Sequence, residues 1–162
     1  MNIVTYPDKR LLSRCTTVED LRDTIDIAAQ MMALVERGRN ILGVAANQVG
    51  DTRRIIVVKD PSTGELHAMI NPVIESREGP EVRRHEGCLS FPRIALTIPR
   101  PDRIKLVYTT PIGEAKEVEA EGMFATVIQH EVDHLDGVVF TQRASAMQRD
   151  MVRRKLRKRR GR

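Results

Sequence analysis

The chain has no run of about 18 apolar residues, which excludes an ordinary membrane-spanning helix. It has no internal repeat, which excludes solenoids and repeat arrays. Cysteine is scarce: Cys15 and Cys88 are the only two, and they stand far apart. No basic-then-apolar leader segment opens the sequence, so the expectation is a reduced, cytoplasmic protein without a disulfide, in which Cys88 is free for other work. Acidic residues are missing from residues 153–162, RRKLRKRRGR, which hold 8 of the 27 Lys and Arg residues. The other 152 residues carry 19 bases against 22 acids, so the formal charge of +5 belongs to the end of the chain. Such a tail points to a partner and says nothing of the chemistry.

What is present describes one globular domain. The 162 residues are 41% hydrophobic and 30% charged, enough to bury roughly 70% of the surface of the unfolded chain. Between Val18 and Gly38, Leu21, Ile25, Ala28, Met32 and Val35 recur at three-to-four spacing, with acids early and bases late, which predicts an amphipathic helix. RIIVVKD (54–60), HAMINPVIE (67–75) and RIKLVYTT (103–110) read as strands. The first two flank a PSTG turn, and the third leads through PIGE to a partner strand at 115–120. A second helix is predicted from Gly122 to Asp136, stopped by Gly137. Strands clustered between helices give an α+β class: antiparallel β-sheets packed around a central helix, with an N-terminal amphipathic helix and a C-terminal helix or tail. The expected boundary separates a catalytic body, 1–144, from a basic helix or tail, 145–162. In that tail Ser145 is the N-cap, and Met147, Met151 and Leu156 are too sparse to bury much.

The central helix carries the chemistry, in QHEVDHLDG (129–137). Residues four apart share a helix face, so His130 and His134 can offer imidazoles to one ion. Glu131 points beside them, where a carboxylate can act as a base without becoming a ligand, as in HExxH hydrolases. A catalytic site of this kind needs a third protein ligand. The metzincin pattern fails because Phe140 stands where its third histidine belongs. A thermolysin-like protease would want a downstream carboxylate such as Asp150, in surroundings that do not resemble a ligand helix. Cys88 in EGCLS is the stronger candidate, with His85 as a rival; taken alone, a single cysteine is more often a small buried hydrophobe.

Three segments together, GVAANQVG (43–50), EGCLS (86–90) and QHEVDHL (129–135), resemble in order and spacing the signature motifs of the peptide deformylases. IVTYPDKRL near the start is also similar, so the likeness runs to about Phe140. The resemblance implies that Cys88, His130 and His134 bind the metal and that Glu131 is the acid/base. Gln48 and the Leu89 amide would stabilise the oxyanion. Leu42, Gly43, Val44, Gly87, Met123 and Val127 would receive the substrate, the formyl-methionyl end of a nascent peptide. It implies Fe2+ as cofactor, with Zn2+, Ni2+ or Co2+ as substitutes; the donor chemistry alone does not choose among these. It also implies that the basic tail docks on the ribosome.

Two departures stand out. Ile41 occupies a position usually held by glycine, and Arg93 and Ala95 follow the second motif where relatives face the substrate. Two other classes compete with the deformylase reading. An HExxH metalloprotease would cleave internal peptide bonds. A basic-tailed RNA-binding protein with a structural metal would need a closed four-ligand site and would leave Glu131 without a task.

Overall fold

A strand that is apolar at four consecutive positions, as Ile55 to Val58 are, is stable only where both of its faces are covered. The rest of the architecture is arranged around that requirement. The computed structural model describes residues 1–160. Its elements are α1 (Ile25–Arg37), β1 (Gly43–Ala45), β2 (Ile55–Lys59), β3 (Leu66–Gly87), β4 (Ala95–Thr109), β5 (Ala115–Glu121), α2 (Gly122–Leu135), α3 (Phe140–Arg143) and α4 (Ala146–Arg160). Short 3-10 turns occur at Lys9–Leu12, Leu21–Thr24 and Ala46–Val49. Gly161 and Arg162, the last two residues of the predicted tail, lie outside the described residues.

The strands form one antiparallel sheet in the order β1-β2-β3-β4-β5. β2 is its sandwiched element: Ile55 and Val57 pack under α1 with Met31 and Val35, while Ile56 and Val58 pack against α2 with Ile128 and Leu135. A third apolar cluster joins Val4, Leu11, Phe91, Phe140 and Val152 beneath α3 and α4. The α2 helix runs through the middle, buried without interruption from Ala125 to Leu135. Gly137, at φ 74°, ends its capping turn in the left-handed conformation that only glycine adopts cheaply. A Cβ there would also meet the Leu12 carbonyl oxygen at 2.7 Å.

Several expectations are adjusted by the structure. β3 and β4 extend well beyond the predicted 67–75 and 103–110, into one long hairpin whose connection is residues 88–94. The added part of β3, SREGPEVRRHEG, is largely polar and exposed without a break from Arg77 to Glu81, so it carries no apolar signal of its own and is a strand because β4 pairs with it. In α1 the buried positions are Ala28, Met31 and Val35, while Ile25 is 53% exposed, because the first turn of the predicted helix is a 3-10 turn that shifts the face. The tail is the predicted helix, with the Ser145 hydroxyl accepting from the Gln148 N–H at 3.3 Å. Met147 and Met151 are exposed as expected, but Val152 is 4% exposed and anchored in the third cluster with Leu156 beside it.

Candidate metal centre

One helical turn separates His130 from His134, and their ring centroids stand 5.1 Å apart on the same side of α2. Cys88 arrives from a different direction, in the connection just past the end of β3. Its Sγ is 3.2 Å from His134 Nε2, and the candidate ligand atoms of Cys88, His130 and His134 all lie within 4.8 Å of one another. One sulfur and two imidazoles, converging this closely, fit a divalent transition metal. His85, the rival ligand, faces outward instead, with Nδ1 2.9 Å from Thr97 Oγ1. Phe140, which stands where a metzincin has its third histidine, is packed edge-on against Phe91 at 5.4 Å.

A buried ion-pair network holds the first histidine. His130 Nδ1 donates to Glu86 Oε2 at 2.7 Å, and Arg100 clamps the same carboxylate through Nε (2.5 Å) and Nη2 (3.0 Å). Arg100 Nη1 also reaches Asp133 at 2.8 Å, and Asp133 takes a second arginine, Arg143, at 2.6 Å. Burial opposes charge on Glu86, but the hydrogen bonds from His130 and Arg100 outweigh it and hold the carboxyl below its ordinary range. Burial likewise opposes charge on His130, yet its contacts with Cys88 and Glu86 hold the imidazole well above its usual value. His134 is driven the other way, by burial and then by the neighbouring positive charges of His130 and Arg100. The orientation of His130 fixes Nδ1 on the carboxylate and leaves the other ring nitrogen for the cluster.

Gln48 and Glu131 flank the cluster. The Gln48 side chain is fixed by its Oε1, which accepts from the Ala45 N–H at 2.8 Å. Its Nε2 then points at Cys88 Sγ (3.3 Å) and Ser90 Oγ (3.2 Å). Glu131 is 5% exposed, and its Oε2 has no hydrogen-bond partner among the described residues. Burial pushes its carboxyl up to about 7, with the charge of His130 pulling against it. Gly43 lets the strand come this close: a Cβ there would meet Glu131 Oε1 at 2.8 Å and Val127 Cγ1 at 2.9 Å. A cavity of about 520 Å³ opens beside these groups, lined by Leu42, Gly43, Gln48, Gly87, Cys88, Leu89, Met123, Val127, His130 and Glu131 among others.

A sequence model of the polypeptide deformylase family matches residues 1–150. The peptide deformylase of Neisseria meningitidis is 38% identical over 161 residues, covering 98% of this chain and 95% of its own. That of Wolinella succinogenes is 37% identical over 167 residues, covering 97% and 95%. The chain belongs to the peptide deformylase family. Among solved structures, peptide deformylase 1B of Arabidopsis thaliana superposes with a TM-score of 0.89 at 29% identity, covering 97% of this chain and 87% of the other. The enzyme from Ehrlichia chaffeensis, in complex with actinonin, gives 0.88 at 35% identity, covering 98% and 96%. As a deformylase the protein is a hydrolase that removes the formyl group from the N-terminal methionine of newly made chains.

Of the deformylase residues predicted from the motifs, the structure brings Cys88, His130, Glu131, Gln48 and Leu89 to one cavity, together with Leu42, Gly43, Gly87, Met123 and Val127, while His134 lies fully buried behind it, its ring nitrogen turned to Cys88. Val44 is the exception. Alternation along β1 turns it away from the cavity and into the core with Ile55 and Val57, fully buried. Sequence reasoning missed Glu86, Arg100 and Asp133. One signal for Arg100 was available: Leu96, Ile98 and Arg100 fall on the same inward face of β4, so a charged residue continues an apolar alternation and needs a buried partner. Asn47 was also missed; its Nδ2 donates to the His134 carbonyl at 2.6 Å and ties the first motif to the third.

Proposed function

We propose that Cys88, His130 and His134 hold the deformylase metal and that Glu131 is the general acid/base. The observation that carries this reading is the convergence of the three ligand atoms within 4.8 Å, with the buried Glu131 carboxylate beside them. A divalent ion held there supplies Lewis acidity and makes water in the site easier to deprotonate. Glu131 takes a proton from the attacking water as its oxygen bonds to the formyl carbon. The carbonyl oxygen becomes an anion, to which the Gln48 amide and the Leu89 N–H donate; each such donor contributes roughly 3 kcal/mol. The C–N bond then breaks, formate leaves, and Glu131 returns its proton to the departing amine. Leu42, Met123 and Val127 supply an apolar wall for the methionine side chain, and Gly43 and Gly87 keep the peptide path clear of side chains.

The cofactor of this reading is Fe2+, with Zn2+, Ni2+ and Co2+ as functional substitutes for a sulfur-and-imidazole donor set. Formate release from a formyl-methionyl peptide, by protein loaded separately with iron and zinc and with metal content measured, tests both parts. A faster iron form supports the reading; equal turnover rejects iron as the preferred ion, and no release from either rejects the site.

The catalytic body is assigned to 1–144 and the basic helix or tail to 145–162, with the ribosome as the partner of the latter. Arg153, Arg154, Lys155, Arg157 and Lys158 are all exposed on α4, a surface suited to phosphate. The setting that follows is the cytoplasm, where formylated chains are made and where free cysteines such as Cys15 and Cys88 persist. Charge reversal at Arg153 and Arg157 keeps Val152 in the core, so it tests docking without dismantling the helix. Weakened ribosome cosedimentation at modest salt is the expected result, and unchanged cosedimentation overturns it.

A further inference from the structure

The inner end of the cavity is apolar or engaged in the chemistry, but its exposed rim is not neutral. Two carboxylates line the cavity, Glu86 and Glu131, and both are 5% exposed; Glu86 is already committed to Arg100 and His130. The exposed lining side chains are Asn40, His85, Pro92, Arg93 and Met123, so Arg93 is the full charge among them and none of them is acidic. Arg93 enters no ion pair among the described residues, which leaves its guanidinium available to a ligand. Its backbone is held in an unusual way. Arg93 adopts φ 62°, in the left-handed region, and its carbonyl oxygen accepts from Lys155 Nζ of α4 at 2.5 Å. The hairpin connection thus holds the Arg93 backbone at the rim, with a second cation, Lys155, on its carbonyl oxygen. The lining residues just before β1, Asn40, Ile41 and Leu42, carry no charge.

We infer that Arg93 is a specificity-determining residue that favours formylated peptides with Asp or Glu among the residues following methionine and disfavours Lys or Arg there. This rests on the deformylase reading above. When the formyl group is at Glu131 and the methionine side chain is against Leu42, Met123 and Val127, the rest of the peptide leaves through the opening. There it meets Arg93, the exposed charged residue of the lining. Coulombic attraction at a solvent-exposed rim is modest and screened by salt, so the effect is a bias in substrate choice and not an absolute requirement.

The test compares kcat/KM for matched peptides, formyl-Met-Glu-Glu, formyl-Met-Ala-Ala and formyl-Met-Lys-Lys, at low and high salt, using the metal-loaded full-length protein. The expected order is Glu over Ala over Lys, with steps of about two- to fivefold, carried mainly by KM and compressed at high salt. Arg93→Ala levels the order and Arg93→Glu inverts it. Lys155→Glu, an exposed substitution on α4, narrows it. Equal kcat/KM for the three peptides in the unaltered protein, or a preference that survives Arg93→Ala, overturns the inference. Absence of formate release from all three peptides overturns the hydrolase assignment itself, a distinct result.

Discussion

Glu86 accepts a hydrogen bond from His130 at 2.7 Å while Arg100 grips both oxygens of the same carboxylate. The imidazole that faces Cys88 is therefore aimed by a group that never touches the cluster. A histidine ligand whose outer nitrogen is bound to a carboxylate has a fixed tautomer and greater basicity, and loss of that partner typically weakens metal binding 10- to 100-fold. Glu86→Gln, which keeps the shape and removes the charge, is expected to lower metal affinity by about that factor. Competition with a chelator of known affinity measures it; affinity within twofold of the unaltered protein would reject the orienting role.

Glu131 ties activity to a cost in stability. Its carboxyl titrates near 4.5 in the unfolded chain and at about 7 in the metal-free fold, because burial disfavours its charge. The unfolded chain therefore sheds this proton first, and the fold loses stability as pH rises from 4.5 to about 7. The loss amounts to roughly 3 kcal/mol once complete. Glu131→Gln is expected to abolish that component and lower turnover by about 10²- to 10⁴-fold. Urea melts of the chelated proteins at pH 5 and pH 8, with formate assays of the loaded ones, check both halves.

Gly43 and Gly87 line the same cavity but differ in what surrounds them. At Gly43 an added methyl meets the Glu131 carboxylate and Val127 below 3.0 Å, whereas at Gly87 nothing lies within 4 Å. Gly43→Ala should displace Glu131 and cost on the order of 100-fold in kcat/KM, the size expected when a reacting group is misplaced by about an ångström. Gly87→Ala should fold normally, so any activity it loses reports contact with the peptide. Comparable kcat/KM for the Gly43 variant and the parent would refute the steric argument.

The C-terminal helix is expected to be part of the fold as well as a basic surface. Val152→Ala removes two methyl groups from a cluster shared with Phe91 and Phe140, at a cost of about 1–3 kcal/mol. Substitutions at exposed Arg153 or Arg157 should stay within about 0.5 kcal/mol of the parent. Thermal melts of the two sets separate a packed helix from a solvated one.

The pairing of the two histidines was legible because helical periodicity is local: a spacing of four from His130 to His134 suffices to put both imidazoles on one face. Cys88 was read as the third candidate only through its motif, since nothing local says that a hairpin connection will meet that helix. The network behind it was harder still. Glu86 and Arg100 meet because residues 14 apart are brought abreast by a long hairpin, half of which is too polar to announce itself as a strand. Asp133 completes the network from α2, where three residues after His130 on a helix is also a pattern common on solvated faces. Val44 was expected at the substrate, but alternation along β1 turns it inward, into the core with Ile55 and Val57.

The sulfur comes from the hairpin connection and the imidazoles from the buried helix, so an ion gripped by both would add a cross-link to the Glu86–His130 and Arg100–Asp133 pairs that already join hairpin and helix. Unfolding separates those parts and releases the ion. By mass action, each tenfold excess of free ion over its Kd then adds about 1.4 kcal/mol to the folded state. The melting temperature of a purified sample is in this way a gauge of how many molecules are loaded.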